Sequence, residues 1–528
     1  MSFLASPSER HSHTRDTEAA LKVHLLTMKK APVIFHPFLF ALFPALSLVA
    51  DHLGFLTVNS IIVGLSIITV IVTFLGLSLL KAIGVDSQKA AIIVSICLLL
   101  FFSYGHTFYL ISNLIGFDVR YRHLLILWGI FFLLLVYFSI KKTADLSGYT
   151  NFLNVMGASL VVLSSIQIAG YEISTRQVWS PTREFESANA GVIHAEELPD
   201  IYYIILDTYA SSSTLREHYN FDNGQFIERL QSQGFFVADE SFSNYAMTRL
   251  SLASSLNMDY MEKLSPHLEN DTRGFEVPGE MIENNNVMWF LKSRGYSFIF
   301  FGSGMGITQV NRYADQEIKC GDIDETVGRI IQSTLIWPLA DKFEIMQGDA
   351  RYKRLCMFEK IAEMPAMEGP QFIFAHIPAP HMPFVFDAHG EPLRDYDPAR
   401  IKEYYVNQLI FINKQIEEMV GQILAQSEVE PIIILQADTG PPYGIEPEAK
   451  SAPTTDVVRQ SMRILNAYHL PDGGATRLYE EISPVNTFRL LFNFYFNTEI
   501  QLLDDQSYFS TPSDPYNFFN VTPIVDYH

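Results

Sequence analysis

The chain has 528 residues, 48% of them hydrophobic and only 18% charged, with a mean hydropathy of +0.13. This length exceeds one ordinary domain and predicts two or three. The formal net charge of -21 excludes a nucleic-acid partner, because phosphate groups would be repelled, and three cysteines are too few for a disulfide-stapled scaffold.

Long apolar stretches occupy the first third of the chain, at about 33–50, 59–80, 90–112, 122–140 and 151–170. Each is close to the roughly 20 residues that cross a bilayer. Buried helices of a soluble protein are the alternative, but five such segments joined by short links favour membrane spans. A cleavable signal peptide is disfavoured because roughly thirty polar or mixed residues precede the first stretch. We predict a cytoplasmic segment 1–30 and a five-helix transmembrane region 31–172.

Basic residues mark one side of these spans. They precede the first span and occupy the second and fourth links: Arg10, Arg15, Lys22, Lys29, Lys30, Lys81, Lys89, Lys141 and Lys142. The opposite side offers only Arg120 and Arg122. This bias predicts a cytoplasmic N-terminus in the cell membrane. Five crossings then put a linker, 173–198, and a large domain, 199–528, in the periplasm or outside the cell.

The large domain alternates strand and helix patterns. Apolar, β-branched runs occur at 201–207, 234–239, 296–302, 371–377 and 431–438. Helical spacing of apolar residues lies between them, most clearly at 403–426. Continuous apolar strands separated by helices predict an α/β domain with a mostly parallel central sheet covered on both faces.

Polar residues that close the strands are the candidate site residues, because ligands in such folds bind at the carboxyl ends of strands. They are Asp207, His376 with His381, and Asp438. An isolated buried carboxylate is costly, so each aspartate needs a partner such as a cation or a set of hydrogen-bond donors.

Asp438 also belongs to an Asp-Thr-Gly sequence, which after an apolar run is the signature of an aspartic protease. That class is nearly all β and needs two aspartates sharing a proton. The one similar stretch, IILDTYAS, has Tyr209 at the glycine position. The α/β pattern therefore disfavours the protease interpretation.

Thr248 begins a helix-like segment within 241–261. A hydroxyl at a helix N-terminus is favoured as an anion by the helix dipole, and a bound cation would favour it further. Thr248 is therefore a candidate nucleophile. An N-cap is the commoner role for such a threonine, and the sequence leaves both open.

Several pieces of the chain share their order and spacing with a known family. They are LPDIYYIILDTYAS, SNYAMTRLSLASSLNM, FAHIPAPHMPFVF, YYVNQLIFINKQI, LQADTGP and ILNAYHLP with ISPVNTFRLLFNFYF. Together they resemble membrane-anchored proteins of the alkaline phosphatase/sulfatase superfamily, including lipoteichoic acid synthases and phosphoethanolamine transferases. The resemblance implies an alkaline phosphatase-like fold. It also implies a membrane-tethered, metal-dependent phosphotransferase or phosphoester hydrolase acting on a membrane lipid or envelope polysaccharide.

The resemblance also implies residue roles. Asp207 and Asp438 correspond to metal-binding carboxylates, and Thr248 to the nucleophile that carries a phosphoryl group. His381 corresponds to the histidine that contacts the substrate or protonates the leaving group, and His376 is the weaker candidate for that role. The chain lacks the Cys- or Ser-x-Pro-Ser-Arg motif of formylglycine formation, which favours phosphate over sulfate esters.

Thr439 stands where the family has a metal-binding histidine. The resemblance then implies one divalent ion with oxygen ligands from Asp207, Thr248, Asp438 and Thr439, which favours Mn²⁺, Mg²⁺ or Ca²⁺ over Zn²⁺. Two other outcomes stay open. Another histidine, such as His469, moves in, or the site is empty and the protein is a non-catalytic relative with a binding or assembly role.

The cysteines are divided between the two regions. Cys97 lies in the third span, whereas Cys320 and Cys356 lie in the outer domain. In an oxidising compartment the latter two either pair or remain buried thiols, because sequence gives no distance between them.

Overall fold

The computed structural model describes residues 32–51, 60–115, 121–141, 145–175, 179–181, 198–264, 276–394, 396–443 and 453–525. The chain divides into two compact units, one holding most of the N-terminal helices and the other the α/β domain. Each unit is described by itself.

The N-terminal part contains apolar helices at the expected positions. They are α1 (His36–Asp51), α2 (Ser60–Ala82), α3 (Ser87–Ile115), α4 (Tyr121–Lys141) and α5 (Ser147–Thr175). Four of them, α2 to α5, are long and apolar enough to cross a membrane. Helix α1 has 16 residues and contains Pro44, so it spans about 24 Å against a hydrocarbon core of roughly 30 Å. Four spans are therefore supported by length, and the fifth stays a prediction.

The second unit is an α/β domain, as predicted. Its strands are β1 (Ile201–Leu206), β2 (Phe236–Val237), β3 (Ser297–Gly302), β4 (Gln316–Lys319), β5 (Gln371–Ile377), β6 (Ile432–Gln436), β7 (Asn466–His469), β8 (Tyr508–Thr511) and β9 (Asp514–Asn520). Its helices are α6 (Ser212–Tyr219), α7 (Gly224–Ser232), α8 (Thr248–Asn257), α9 (Met261–Leu264), α10 (Glu276–Glu283), α11 (Asn286–Ser293), α12 (Glu325–Ser333), α13 (Trp337–Lys342), α14 (Ile345–Ala362), α15 (Ile401–Gln426), α16 (Thr455–Met462), α17 (Pro484–Tyr495) and α18 (Thr522–Val525).

Seven strands form the central sheet in the order β2-β7-β6-β1-β5-β3-β4. The pairings β1–β5, β1–β6, β3–β5 and β3–β4 are parallel, and β7 is antiparallel to β6 and to β2. The predicted mostly parallel sheet is confirmed. The strands β8 and β9 form a separate two-stranded sheet.

Alternate residues of the central strands pack on opposite faces. Tyr203 and Phe374 belong to one buried cluster, which also contains Leu250 and Leu256 of α8. The even-numbered residues of β1, which are Tyr202, Ile204 and Leu206, pack with α14 and α15 on the other face. Helix α8 therefore covers the face towards which the odd-numbered side chains of β1 point.

The two cysteines of the α/β domain are joined. Cys320 follows β4 and forms a disulfide with Cys356 of α14, while Cys97 is a free thiol. The bridge connects the edge of the sheet to a helix that lines the candidate site described below.

Candidate functional site

Three adjacent strands, β6, β1 and β5, bring Asp438, Asp207 and His376 together. Ile205 of β1 is in register with both His376 and Gln436. Asp207 comes two residues after Ile205, and Asp438 two after Gln436, so all three side chains lie on the sheet face covered by α8. One ligand atom from each lies within 4.8 Å of the others. The strand order thus builds a cluster at the carboxyl edge of the sheet.

The donor atoms of this cluster are buried and unsatisfied. Asp207 and His376 are each 5% exposed, and Asp438 is 1% exposed. Within the described ranges, Oδ1 of Asp207, Nε2 of His376 and Oδ2 of Asp438 have no hydrogen-bond partner. Burial, and next the Asp438 carboxylate, raise the pKa of Asp207 well above its usual range. A divalent cation would satisfy all three atoms and remove the repulsion between the carboxylates, so these residues fit a metal.

A strained backbone orients Asp438. Thr208 has a φ of +60°, a conformation that is costly for a β-branched residue and occurs mainly at functional sites. In this conformation the Thr208 amide donates to Oδ1 of Asp438 at 3.1 Å, and its carbonyl accepts from the Tyr405 hydroxyl at 2.9 Å. The bond fixes one carboxylate oxygen, while Oδ2 has no hydrogen-bond partner among the described residues.

A hydrogen bond to Thr308 holds the ring of His376. Nδ1 of His376 lies 2.7 Å from Oγ1 of Thr308, which is buried in a short turn after β3. Nε2 lies 3.6 Å from Oδ2 of Asp207. If Nδ1 carries the proton and donates it to Thr308, Nε2 is the basic nitrogen that faces the two carboxylates.

Thr248 is the first residue of α8, whose N-cap is Met247 with no side-chain capping bond. The N-cap role considered for Thr248 is therefore wrong. Thr248 lines a cavity of about 630 Å³ together with Asp207, His376 and His381. The helix dipole directs partial positive charge into this cavity, which favours an anion there.

His381 lies in the loop after β5 and is half-buried. Its backbone amide donates to the carbonyl of Asp207 at 3.1 Å, and Nδ1 lies 2.5 Å from the carbonyl of Met382. Burial lowers the pKa of His381. Because a carbonyl only accepts, Nδ1 carries the proton and Nε2 of the neutral ring is basic.

Arg354 of α14 holds the His381 loop. The side chain is 2% exposed, and it donates to three loop carbonyls, those of Pro378, His381 and Pro383, at 2.9 to 3.4 Å. Burial lowers its pKa to about 10, and the Asp207 carboxylate opposes this. Arg354 thus positions the loop and adds positive charge beside the cavity.

The Asp-Thr-Gly sequence has a packing explanation. A Cβ at Gly440 would lie 2.5 Å from the carbonyl oxygen of Gln460, and the Gly440 amide donates to the Ser461 carbonyl at 2.7 Å. Only glycine allows this approach. Thr439 is buried beside Asp438. The sequence closes a strand of a mostly parallel sheet, which is not the fold of an aspartic protease.

The candidate cluster includes a residue that the predicted ligand set lacks. His376 places a ring nitrogen beside the oxygens of Asp207 and Asp438. His469, the histidine considered as a replacement, lies in β7 with Nδ1 3.0 Å from the Pro431 carbonyl and Nε2 3.4 Å from Glu430, at the opposite end of β6. It therefore does not join the cluster.

The sequence contains a signal for the position of His376. Phe372, Phe374 and His376 share one parity in β5, and the first two are apolar core residues on the α8 face. A histidine continuing that row at the carboxyl end of the strand has to point to the same place as Asp207. Thr308 and Arg354 had no comparable signal, since their contacts depend on loop geometry.

Comparison with known proteins gives one family match. The family model described as Sulfatase matches residues 199–487, more than half of the chain. No curated protein gives a significant match.

Some solved structures are similar at low identity. The periplasmic domain of EptC from Escherichia coli, in complex with Zn, has 12% identity and a TM-score of 0.44, covering 65% of this chain and 98% of that one. The integral membrane lipooligosaccharide phosphoethanolamine transferase A from Neisseria meningitidis has 12% identity and a TM-score of 0.41, covering 88% and 95%. A putative sulfatase from Bacteroides fragilis has 13% identity and a TM-score of 0.39, covering 62% and 85%. With TM-scores below 0.5, these similarities add no weight to the family match.

Proposed function

Because the chain belongs to the sulfatase family, we propose that it is a membrane-tethered, metal-dependent phosphotransferase or phosphoester hydrolase with Thr248 as its nucleophile. Its substrate is a phosphate ester of a membrane lipid or an envelope glycan. The observation that carries the proposal is the set of three buried, unsatisfied ligand atoms of Asp207, His376 and Asp438 beside a cavity that Thr248 also lines.

The proposed cofactor is one divalent ion held by Asp207, His376 and Asp438. Such an ion stabilises negative charge on phosphate oxygens and on a neighbouring hydroxyl. Two carboxylates with one imidazole form a mixed oxygen and nitrogen set. This moves the expected preference from Mg²⁺ and Ca²⁺ towards Mn²⁺ and Zn²⁺.

In the proposed reaction Oγ1 of Thr248 attacks the phosphorus, and the bond from phosphorus to the leaving oxygen breaks. The Thr248 proton ends on the leaving oxygen, and Nε2 of His381 is the group to which we assign its transfer. A hydroxyl acceptor or water then attacks the phosphothreonine. The bond between Thr248 and phosphorus breaks, and the acceptor's proton returns to Thr248.

The experiment measures metal content and phosphodiester turnover on one preparation of the full chain. We expect about one bound ion and hydrolysis of bis(4-nitrophenyl) phosphate. His376→Ala and Asp438→Asn each remove a ligand, so both should lose the ion and the turnover, because such ligands act as a set. The control is His469→Ala, which removes an equally buried histidine outside the cluster and should keep both.

The alternative is a non-catalytic relative with a binding or assembly role. Thr439 is the feature that favours it, because the family's metal-binding histidine is missing there. If the wild-type chain binds none of Mn²⁺, Zn²⁺, Mg²⁺ and Ca²⁺ and shows no turnover with any of them, the catalytic proposal is wrong and this alternative stands.

We further propose that the α/β domain lies outside the cytoplasm, after five crossings that include α1. The basic residues before α1 and in the second and fourth links support this orientation. Reporter fusions at the third link and the C-terminus should both read external. A cytoplasmic signal from the C-terminal fusion would rule the orientation out.

A further inference from the structure

The outer domain exposes large apolar side chains in one segment. Of the ten such side chains described between residues 198 and 525, six fall within residues 336–355: Ile336, Leu339, Phe343, Ile345, Tyr352 and Leu355. Phe343 is 67% exposed and Leu339 is 59% exposed. A concentration of this kind in a folded domain marks an interaction surface. We call it the 336–355 patch.

The patch is built on α13 and the beginning of α14, with both apolar and charged groups. Phe343, Ile345 and Tyr352 line an open depression of about 680 Å³ that Lys342 and Arg351 also line. Nζ of Lys342 lies 5.7 Å from the centre of the Phe343 ring. An apolar surface with flexible cationic side chains at its rim matches the boundary between lipid headgroups and acyl chains.

The same two helices reach the candidate active site. Trp337 and Met346, between the exposed residues in sequence, line the cavity that contains Thr248 and His376. The patch therefore adjoins residues that line that cavity. A surface that adjoined a lipid leaflet here would bring lipid headgroups next to the cavity.

The membrane tether limits how far the domain can move away. Residues 176–200 separate α5 from β1, which permits at most about 90 Å when fully extended. For a domain confined within that distance, the effective concentration of the bilayer surface is high. Even a weak affinity for the lipid interface is then sufficient for docking.

We propose that the 336–355 patch docks on the lipid leaflet, with Leu339 and Phe343 entering the region between headgroups and acyl chains. Apart from the buried Lys353 and Arg354, basic and acidic residues in the segment nearly balance: Lys342 and Arg351 against Asp341, Glu344 and Asp349. Docking is therefore driven by apolar burial, and anionic lipid is not required. The inference does not rest on the proposed reaction, since it needs neither a metal nor turnover.

The test uses the full chain in phosphatidylcholine vesicles. Cys97→Ser removes the free thiol, and Phe343→Cys, Leu339→Cys or Tyr352→Cys then carries a nitroxide. Molecular oxygen concentrates in lipid, whereas a nickel chelate stays in water. The ratio of their effects on the relaxation of the nitroxide therefore reports how deep the label lies in the bilayer. The matched controls are Tyr396→Cys and Leu502→Cys, which are exposed at 48% and 39% outside the patch.

The measured quantity is the ratio of oxygen accessibility to nickel accessibility at each label. We expect this ratio to be at least several-fold higher at positions 339 and 343 than at the two control positions. The difference should persist when half of the lipid is phosphatidylglycerol. Labels at 339, 343 and 352 that match the controls would overturn the proposal. The labels could also remain protected from nickel in detergent and show spin–spin coupling between chains. That result would mean that a second copy of the chain covers the patch, and it would also overturn the proposal.

Discussion

Nδ1 of His376 lies 2.7 Å from Oγ1 of Thr308, although the two residues are 68 positions apart in the chain. Thr308 is itself fixed, because its hydroxyl also lies 2.9 Å from that of Ser303. Of the two ring nitrogens, Nδ1 therefore serves orientation, and Nε2 remains for the cluster with Asp207 and Asp438. Partners of this kind set the tautomer and angle of a metal-binding histidine.

Removal of this support should weaken metal binding without removing a ligand. Thr308→Val keeps the shape of the side chain and loses the hydroxyl, so we expect metal affinity to fall by about 10- to 100-fold. Titration with Mn²⁺ or Zn²⁺ against a competing chelator measures it. The control is Thr498→Val, which removes a buried hydroxyl bonded to Asn493 far from the site. Equal affinity in wild type and Thr308→Val would contradict this role.

Thr248 should be required for turnover and not for folding. Met247 and not Thr248 occupies the N-cap position of α8, so Thr248→Ala should change the free energy of unfolding by no more than about 0.5 kcal/mol. Turnover should fall by several orders of magnitude, because the bond-forming oxygen is lost. Thr248→Ser keeps a hydroxyl and should retain activity. Mass spectrometry of quenched reactions should find a phosphorylated residue 248 in wild type. Full activity in the alanine variant would exclude Thr248 as nucleophile.

Several parts of this fold follow from sequence for simple physical reasons. The strands β1, β5 and β6 are continuous apolar runs buried on both sides, and their predicted positions agree with the structure to within two residues. The edge strand β4 has the sequence QEIK and β7 has NAYH. Both four-residue segments mix polar and apolar residues without the alternation of a strand, so the sequence pattern does not reveal them, although β7 is fully buried.

The candidate site was predictable in part. Asp207 and Asp438 are predictable because a carboxylate directly after a buried strand requires a partner. His376 is less apparent because it lies inside its strand, and only the parity of β5 shows that it points to Asp207. Thr308 was not predictable, since its contact depends on the path of a loop between β3 and β4.

The Cys320–Cys356 bridge should contribute to the stability of the α/β domain. It closes a loop across 36 positions, and cross-linking a loop of that size stabilises by about 3–4 kcal/mol in the chain-entropy model. Replacement of both cysteines by alanine should lower the free energy of unfolding by a comparable amount. Thiol counting on unfolded, unreduced chain should find one reactive thiol, that of Cys97. Three reactive thiols would show that the bridge does not form.

Asp200 should make stability depend on pH. Burial raises its pKa to about 6, although Oδ1 accepts from the Gln371 amide at 2.8 Å. The folded state therefore binds the proton more tightly than the unfolded state, in which the carboxyl has the ordinary aspartate pKa of 3.8. This contribution is fully present below about pH 4 and is lost as pH rises through 6.

Asp200→Asn keeps the acceptor oxygen and removes the charge. We expect the variant to be more stable than wild type by about 1–2 kcal/mol at pH 8 and equally stable at pH 4, allowing for partial exposure. Thermal unfolding of the full chain at both pH values measures the difference. Glu428→Gln, at an exposed carboxylate, is the control and should show no such change. An Asn variant less stable than wild type at pH 8 would contradict the assigned sign.

Thr439 offers the sharpest test of how the metal cluster is composed. It follows Asp438 directly and is buried, at the position where the resemblance implies a histidine. If His376 supplies the nitrogen ligand in place of a histidine at position 439, then positions 376 and 439 are alternative sites for the same metal ligand. Thr439→His alone should then add a second nitrogen, raise metal affinity by about tenfold or more and move the preference towards Zn²⁺.

The decisive comparison is the double variant. His376→Ala should lose metal binding, and Thr439→His introduced into that background should restore it, because a nitrogen ligand returns beside Asp438. Thr439→Asn serves as the control, since it adds a polar side chain that is a much poorer ligand than imidazole. Melting temperatures identify any variant in which the larger side chain disturbs the fold. A folded double variant that binds no metal would show that His376 does not take the histidine's place.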